Sequence, residues 1–308
     1  MPEVQPIRFS IQLPGAPDLR SWSDKVRRAD DLGFHSVSIP DHLGPSLPQL
    51  APLVALASAA AVTTSLRLAI TVLDNDFRHP VMLAKEIATL DLLSDGRVDM
   101  GLGAGWLEED YTKTGVATWD PPATRVSRLF ESVAVLRLLF SGESVTFAGE
   151  FYEIDDFRSN PLPVQSPVPL MIGAREKRML GFAAREAQIV SVLAATGEGG
   201  NRLEGFERQL GWIADARGDR TDLVVGLRVP AGELAAPGES ARSVAARFGG
   251  RVGLTADEVL DSPFVLVGDL ARIKDHLVEI RERFGVTYLT LSEELAFQIA
   301  PVIEEIGR

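Results

Sequence analysis

The sequence predicts an α/β protein with a (β/α)8 fold, the TIM barrel. Short apolar or β-branched runs alternate with amphipathic helical stretches along the whole chain, and they make about eight units. The chain has 308 residues, which exceeds the roughly 250 residues of a typical barrel and leaves room for insertions. An open, doubly wound sheet is the alternative fold, but it would be unusually long.

Eight segments have the composition of buried strands. A strand followed by an amphipathic helix is the repeating unit, and the helix 19–32 shows the pattern because Gly33 follows it as a C-cap. Pro80 stands in the first turn of another helix, where its missing N–H costs nothing. The predicted strands are 7–13, 36–40, 66–73, 98–102, 170–172, 189–193, 223–229 and 287–291. The predicted helices are 19–32, 50–64, 80–93, 125–140, 176–187, 202–217, 270–284 and 297–306.

Two segments interrupt the alternation and are predicted to be insertions. Residues 142–169 favour a small hairpin, with 145–147 paired to 151–154, followed by a proline-rich stretch. Residues 230–262 are rich in Ala, Gly and Glu and contain one helical piece near 240–248, so we expect them to cover the barrel mouth. Because the alternation resumes after each insertion, we expect one domain that comprises residues 1–308.

Charge and composition exclude several classes of protein. The formal net charge is −12 and the chain has no basic run, which disfavours nucleic acid as a partner. The chain has no cysteine, so disulfides and thiolate nucleophiles are excluded. No secretory signal is visible, and the longest apolar stretch, 53–62, is too short to span a membrane. We therefore expect a cytoplasmic protein that does not contact a membrane.

In a barrel, ligands bind where the strands end at their carboxyl side. The segments predicted to lie there are Gln12, the Asp41-His42 pair, 74–78, 103–106, 173–177 and 194–197. His42 is the sharpest candidate, since an imidazole at a strand end can move a proton near neutral pH. The alternative is a histidine that only hydrogen-bonds a turn.

The glycine-rich run Gly101-Leu102-Gly103-Ala104-Gly105 follows the fourth predicted strand, and it either brings the backbone close to a ligand or makes a tight turn. It is not a dinucleotide fingerprint, because its spacing is wrong and no helix follows directly. No strand end offers a His-x-His pair for a metal, and no Gly-x-Ser-x-Gly elbow occurs. We therefore expect neither a metal centre nor a serine hydrolase.

Several motifs, in this order along most of the chain, resemble the bacterial-luciferase-like flavin and deazaflavin oxidoreductases, most closely the actinobacterial branch that uses coenzyme F420. The motifs are Pro40-Asp41-His42-Leu43, Asn75-Asp76-Phe77-Arg78-His79-Pro80 leading into Leu83-Ala84-Lys85-Glu86, residues 89–106, Phe147-x-Gly149-x-x-Tyr152, Ile172-Gly173 and Ala183-Ala184-Arg185-Glu186-Ala187.

The resemblance implies that F420, or FMN as the alternative, binds with its flat ring in the barrel mouth and its phosphate tail on glycine-rich loops. Asp41 and His42 would be the catalytic residues beside the ring, with His42 as the proton or charge partner. A non-proline cis peptide is expected near Thr71-Val72. The residues expected to bind the cofactor are Gln12, Asp41, Thr71, Val72, Asp74, Gly103, Ala104, Gly105, Gly173, Ala174, Arg175 and Lys177.

The activity implied is hydride transfer between F420 and a small organic substrate. The alternatives are an FMN-dependent monooxygenase and a flavin-binding barrel without catalysis. A homodimer through the second and third helices is also implied by the resemblance.

The chain departs from the family at two places. The loop after the fifth strand carries Arg175 and Lys177 where relatives have glycines, and these cations either hold the phosphate or only begin a helix. Trp106 stands where sugar-phosphate dehydrogenases of this type have a glutamate acid, and Glu108 or Glu109 is a candidate replacement.

Overall fold

Parallel strands and helices alternate along the chain in the predicted order. A computed structural model describes residues 5–194 and 202–307. Eight strands, which we number first to eighth, follow the prediction to within a few residues at each end. They are Arg8–Gln12, Ser36–Ile39, Arg67–Ile70 with its continuation Leu73–Asp74, Val98–Gly103, Leu170–Ala174, Ile189–Val192, Val224–Val229 and Val286–Ser292.

The predicted fold class is confirmed: these strands belong to the closed parallel sheet of a (β/α)8 barrel. The helices are Leu19–Asp31, Pro52–Ala60, Pro80–Leu93, Glu108–Thr112, Pro122–Phe140, Lys177–Glu186, Arg202–Arg217, Ala241–Val252, Ala256–Asp261, Leu270–Phe284, Glu293–Gln298 and Ala300–Ile306. A 3₁₀ turn, Asn75–Phe77, follows the third strand.

The helix predicted at 297–306 is two helices in the structure, since the chain breaks at Ile299 and restarts at Ala300 with a proline in its first turn. The five-residue helix Glu108–Thr112 lies in a segment that the sequence predicted to be a loop. It is too short to give a hydrophobic period.

The contacts of the chain divide it into two compact units. The first unit comprises residues 14–27 and 38–173, and the second comprises the other described residues. The single domain expected from the sequence stays a prediction.

The insertion 142–169 contains the predicted hairpin, with Ser144–Ala148 antiparallel to Glu153–Arg158. Its turn is held to the preceding helix by one carboxylate. Glu131 accepts hydrogen bonds from the backbone N–H groups of Glu150, Phe151 and Tyr152 at 2.7 to 2.9 Å. The insertion is therefore tied to the helix Pro122–Phe140 that precedes it.

The insertion 230–262 holds more regular structure than its sequence predicts. Ala231–Leu234 pairs in parallel with Val265–Gly268. Ser240 caps the helix that was predicted near 240–248, which extends to Val252. A second helix, Ala256–Asp261, begins with a capping box in which Thr255 and Glu258 each bond the other's backbone N–H. That Thr-x-x-Glu spacing was the signal in the sequence for this helix.

No helix in the described part of the chain is long and apolar enough to cross a membrane.

Candidate active site

Asp41 joins the loops that follow the second and third strands of the first unit. Its buried carboxylate forms a bidentate ion pair with Arg78, with Nη1 2.5 Å from Oδ2 and Nη2 3.2 Å from Oδ1. Asp41 Oδ2 also accepts the backbone N–H of Asp74 at 3.2 Å. Both oxygens of Asp41 are therefore engaged within the protein, and the contacts fix the position of the neighbouring His42.

His42 is paired with a carboxylate that the sequence interpretation did not select. Its Nδ1 lies 2.8 Å from Oδ2 of Asp110, and both side chains are largely buried. The other oxygen of Asp110 accepts the backbone N–H groups of Leu43 and Gly44, each at 3.0 Å. Because a carboxylate only accepts, Nδ1 carries the hydrogen, and Nε2 is left with its lone pair. His42 can therefore take up a proton at Nε2.

Trp106 lies edge-on to the imidazole. The two ring centroids are 5.3 Å apart and the planes meet at 86°. The indole is 63% exposed, so it forms an open wall beside His42. Of the two proposed replacements for the missing glutamate, Glu109 bonds Ser46 and Lys113, and Glu108 is exposed. The acid that reaches His42 is the next residue, Asp110.

The third strand is interrupted by a cis peptide between Thr71 and Val72, at the position predicted from the resemblance. The side chain of Val72 fills space that glycines of the fourth and fifth strands leave. A methyl group added at Gly103 would lie 2.6 Å from Cγ2 of Val72, and one added at Gly173 would lie 3.2 Å from either Val72 methyl. These two glycines therefore have a packing role inside the first unit.

A buried arginine, Arg125, holds the backbone of the loop 103–105 through hydrogen bonds. Arg125 donates from Nε to the carbonyl of Ala104 at 3.0 Å and from Nη2 to that of Gly105 at 3.4 Å. Gly105 has φ +72°, and a side chain there would collide with Tyr111 and Asp74. The glycine at this position is thus required by the backbone and by the neighbouring acid.

Asp74 belongs to a cluster of acids around Tyr111. The phenol of Tyr111 donates to Asp74 at 2.6 to 2.7 Å, and the backbone N–H of Asp76 donates to the same carboxyl at 3.0 Å. Burial raises the pKa of Asp74 to about 7, against these two hydrogen bonds, and the charges of Asp76 and Asp41 add to the increase. Asp76 instead forms an ion pair with Arg128 at 2.8 Å. Asp74 therefore changes protonation near neutral pH.

The other predicted residues lie in the second unit. Gln12 ends the first strand, and its Oε1 accepts from Nε of Arg228 at 2.9 Å. Ala174 is buried, and its carbonyl accepts the N–H of Leu193. Arg175 donates to the carbonyl of Ala194 at 3.2 Å. Lys177 is the first residue of an exposed helix start whose first turn has no acidic side chain.

The predicted strand-end segment 194–197 lies outside the described residues from position 195 onward. Within the first unit the structure brings together Asp41, His42, Thr71, Val72, Asp74, Gly103, Ala104, Gly105 and Gly173. It adds Asp110, Tyr111 and Arg125, which sequence reasoning missed. No group of three or more His, Cys, Asp or Glu side chains in residues 5–194 and 202–307 is arranged to hold a metal ion.

The (β/α)8 barrel and the non-proline cis peptide in its third strand are the features that the resemblance implied. The profile of the luciferase-like monooxygenase family matches residues 4–232. The chain therefore belongs to this family, as the resemblance predicted.

A curated relative shares part of the sequence. The F420-dependent glucose-6-phosphate dehydrogenase of Amycolatopsis mediterranei is 33% identical over 163 residues, which are 51% of this chain and 48% of the relative. The chain spans about half the length of the curated relatives it matches. Their activities are therefore a basis for proposals only.

Two solved structures share the fold. A monooxygenase from Streptomyces bottropensis has a TM-score of 0.75 and 24% identity, over 97% of this chain and 98% of that one. A coenzyme F420-dependent tetrahydromethanopterin reductase from Methanopyrus kandleri has a TM-score of 0.74 and 20% identity, over 98% of both chains. At these identities the likeness concerns the fold alone.

Proposed function

We propose that this chain is an F420-dependent oxidoreductase that transfers a hydride between the deazaflavin and a small organic substrate. The observation that carries the proposal is the His42–Asp110 pair, since it leaves Nε2 of a largely buried imidazole ready to take up a proton. The relative named as an F420-dependent dehydrogenase supports the choice of coenzyme. The family itself is also compatible with FMN, as the monooxygenase neighbour indicates.

The residues around Val72 fit a flat ring. Val72 stands on the glycines of the neighbouring strands and offers an apolar surface. The hydroxyl Oγ1 of Thr71 is buried and has no hydrogen-bond partner among the described residues. Such a group costs free energy until a partner arrives, and a polar edge of a bound ring would supply one. Thr71, Val72 and His42 are therefore the residues that we propose to contact the ring.

The phosphate tail is proposed to lie at the loop after the fifth strand, within reach of Arg175 and Lys177. Lys177 occupies the first turn of Lys177–Glu186, where its charge opposes the positive end of the helix dipole. The N-cap residue Glu176 already places an acid at this helix start, so the helix dipole does not separate phosphate binding from a charged helix start. The support for phosphate binding is the charge of the two cations.

When bound, F420 supplies the two-electron donor or acceptor for hydride transfer. The protein's part is proton transfer at the substrate: Nε2 of His42 accepts the proton released when the substrate is oxidised, and returns one when it is reduced. Asp110 holds the imidazole of His42 in the required tautomer. Asp41 forms an ion pair with Arg78 and so fixes the backbone that precedes His42. Trp106 replaces the glutamate of sugar-phosphate dehydrogenases, so we propose a substrate other than glucose 6-phosphate.

Titration of the purified protein tests the coenzyme. F420 is expected to bind more tightly than FMN, and micromolar FMN binding without F420 binding would overturn the proposal. The mutation His42→Ala is expected to lower turnover while the fold is retained. His79→Ala is the matched control, because His79 caps a helix and its loss should leave turnover unchanged. Bound F420 with no turnover on any alcohol, aldehyde or enone would favour a flavin-binding barrel without catalysis.

We also propose a homodimer. Val54 and Met82, on the second and third helices, are 73% and 56% exposed, which leaves apolar surface for a second copy. Light scattering measures the mass directly, and a monomer would refute the proposal. The cytoplasmic location stays a prediction.

A further inference from the structure

The short helix Glu108–Thr112 carries the carboxylate that bonds His42, and its own backbone does little to hold it in place. It has five residues, and its N-cap residue Leu107 makes no side-chain capping hydrogen bond. Isolated helices of fewer than about 12 residues are marginal in water. The buried residues of this helix are Asp110 and Tyr111, which are neighbours in the chain. The contacts of these two side chains are therefore its buried anchors.

The two anchors bind different parts of the first unit. Asp110 accepts hydrogen bonds from the loop that follows the second strand. The phenol of Tyr111 donates to Asp74, at the end of the third strand, at 2.6 to 2.7 Å. Successive residues on a helix point about 100° apart, so the two contacts leave the helix on different sides. A contact on one side lets a short helix turn about that contact, and a contact on a second side prevents the turn.

These contacts form a closed cycle that returns to His42. The backbone N–H of Asp74 donates to Oδ2 of Asp41 at 3.2 Å, and Asp41 directly precedes His42. The members of the cycle, in order, are His42, Asp110, Tyr111, Asp74 and Asp41. Each contact in such a network fixes the geometry of the next, so the network is sensitive to the loss of any one of them. Loss of the bond between Tyr111 and Asp74 should therefore loosen the pairing of His42 with Asp110.

The phenol of Tyr111 is suited to holding a position and not to acting on a ligand. Tyr111 is 1% exposed, so its hydroxyl is closed to solvent. Burial and the neighbouring charge of Asp74 raise the pKa of the phenol, which therefore stays protonated and remains a donor. Its aromatic ring packs against Phe77 and Trp119, with centroid separations of 5.2 and 4.8 Å. Because these contacts hold the aromatic ring, removal of the hydroxyl alone breaks the hydrogen bond and leaves the packing.

We propose that Tyr111 is a positioning residue for the His42–Asp110 pair. Its hydrogen bond to Asp74 holds the helix Glu108–Thr112 in place. Asp110, on that helix, then keeps the hydrogen of His42 on Nδ1. This inference rests on the proposed function, because His42 is the proposed proton acceptor, and it adds Tyr111 and Asp74 to the residues on which turnover depends. Removal of a hydroxyl that bonds Asp74, and not His42, should change the tautomer of the imidazole.

The tautomer of His42 is measured, without cofactor or substrate, by ¹⁵N NMR of protein labelled at its four histidines. The spectrum is recorded at a pH of about 8.5, above the titration range of an ordinary histidine, and His42→Ala assigns the signals. The unmutated protein is expected to carry the hydrogen on Nδ1. Tyr111→Phe should populate both tautomers, so the shifts of the two ring nitrogens should converge. Asp74→Ala breaks the same bond from its other side and should have the same effect.

Tyr288→Phe is the matched control. Tyr288 is also buried, and its hydroxyl bonds that of Ser36 at 2.8 Å in the second unit. Its loss should leave the nitrogen shifts of His42 unchanged. An Nε2–H tautomer in the unmutated protein, unchanged shifts in Tyr111→Phe, or an equal change in Tyr288→Phe would overturn the positioning role.

Steady-state kinetics separates positioning from binding. Tyr111→Phe is expected to lower kcat about 3- to 30-fold, as loss of one buried hydrogen bond predicts, with the dissociation constant of F420 unchanged. In the Asp110→Asn background the same mutation should change kcat less than about twofold, because both mutations break one cycle. An equal fold-change in the two backgrounds, or weaker F420 binding with unchanged kcat, would overturn the proposal. If the protein does not bind F420 but the nitrogen shifts of His42 still respond to Tyr111→Phe, the proposed function fails while the positioning of His42 stands.

Discussion

Asp110→Asn tests whether the tautomer of His42 matters for catalysis. The asparagine oxygen can still accept the two backbone N–H groups of Leu43 and Gly44 that bond Asp110 now. Its NH2 group then faces Nδ1 of His42, which must become the acceptor, and the imidazole hydrogen moves to Nε2. In the opposite orientation of the amide, its NH2 group would face the backbone N–H groups of Leu43 and Gly44, which are also donors. We therefore expect the wrong tautomer in a protein of nearly unchanged shape.

The size of the effect follows from the bond that is lost. A hydrogen bond to a charged group, such as that between His42 Nδ1 and Asp110 at 2.8 Å, contributes about 1.5 to 3 kcal/mol. If it acts on the proton-transfer step, kcat falls about 10- to 150-fold. The dissociation constant of F420 and the melting temperature should stay close to their unmutated values.

Steady-state kinetics, followed through the absorbance of F420, measures kcat on any substrate that the unmutated enzyme turns over. Glu109→Gln is the matched control, since Glu109 is the adjacent acid of the same short helix but bonds Ser46 and Lys113. A kcat equal to that of the unmutated enzyme, with His42→Ala inactive, would show that Asp110 does not position His42. A parallel loss of F420 binding and of melting temperature would mean that Asp110 is structural only.

Two further predictions concern stability. Asp74→Asn should stabilise the protein at pH 8 by about 2 to 4 kcal/mol, because burial raises the pKa of Asp74 from 3.8 to about 7 and ionising the buried carboxyl costs free energy in the folded state. The gain should shrink as the pH falls below about 7 and vanish only below about 3, where the carboxyl is protonated in both states. Urea unfolding at pH 5 and pH 8 measures this, and an equal difference at both would contradict it. Gly103→Ala should destabilise by about 1 to 3 kcal/mol, since the new methyl would lie 2.6 Å from Val72. Adding Val72→Ala should recover part of the loss, and no recovery would exclude that contact as the cause.

The sequence predicted the barrel well because each strand and its helix carry their own periodicity. It also placed the cis peptide at Thr71-Val72, although through the family resemblance and not through the residues alone. Asp110 was missed for a physical reason. Its helix has five residues and its partner His42 lies 68 positions away, so neither local pattern nor spacing points to the pair. Arg228 and Gln12, 216 positions apart, were separated in the same way.

The glycine-rich run after the fourth strand has packing partners that its sequence alone does not show, and the cofactor contacts predicted for Gly103 and Gly105 stay a prediction. The sequence predicts that Gly103 and Gly105 let a cofactor come close to the backbone. In the structure the space beside Gly103 is filled by Val72, and a side chain at Gly105 would strike Tyr111 and Asp74. Gly103 and Gly173 thus allow Val72, where the third strand is interrupted, to lie against the fourth and fifth strands, and Thr71 and Val72 are the residues proposed above to contact a ring. A flat ring would then rest on Val72 and meet the glycines only through it, which makes Val72 the residue whose size sets the depth of the proposed ring site.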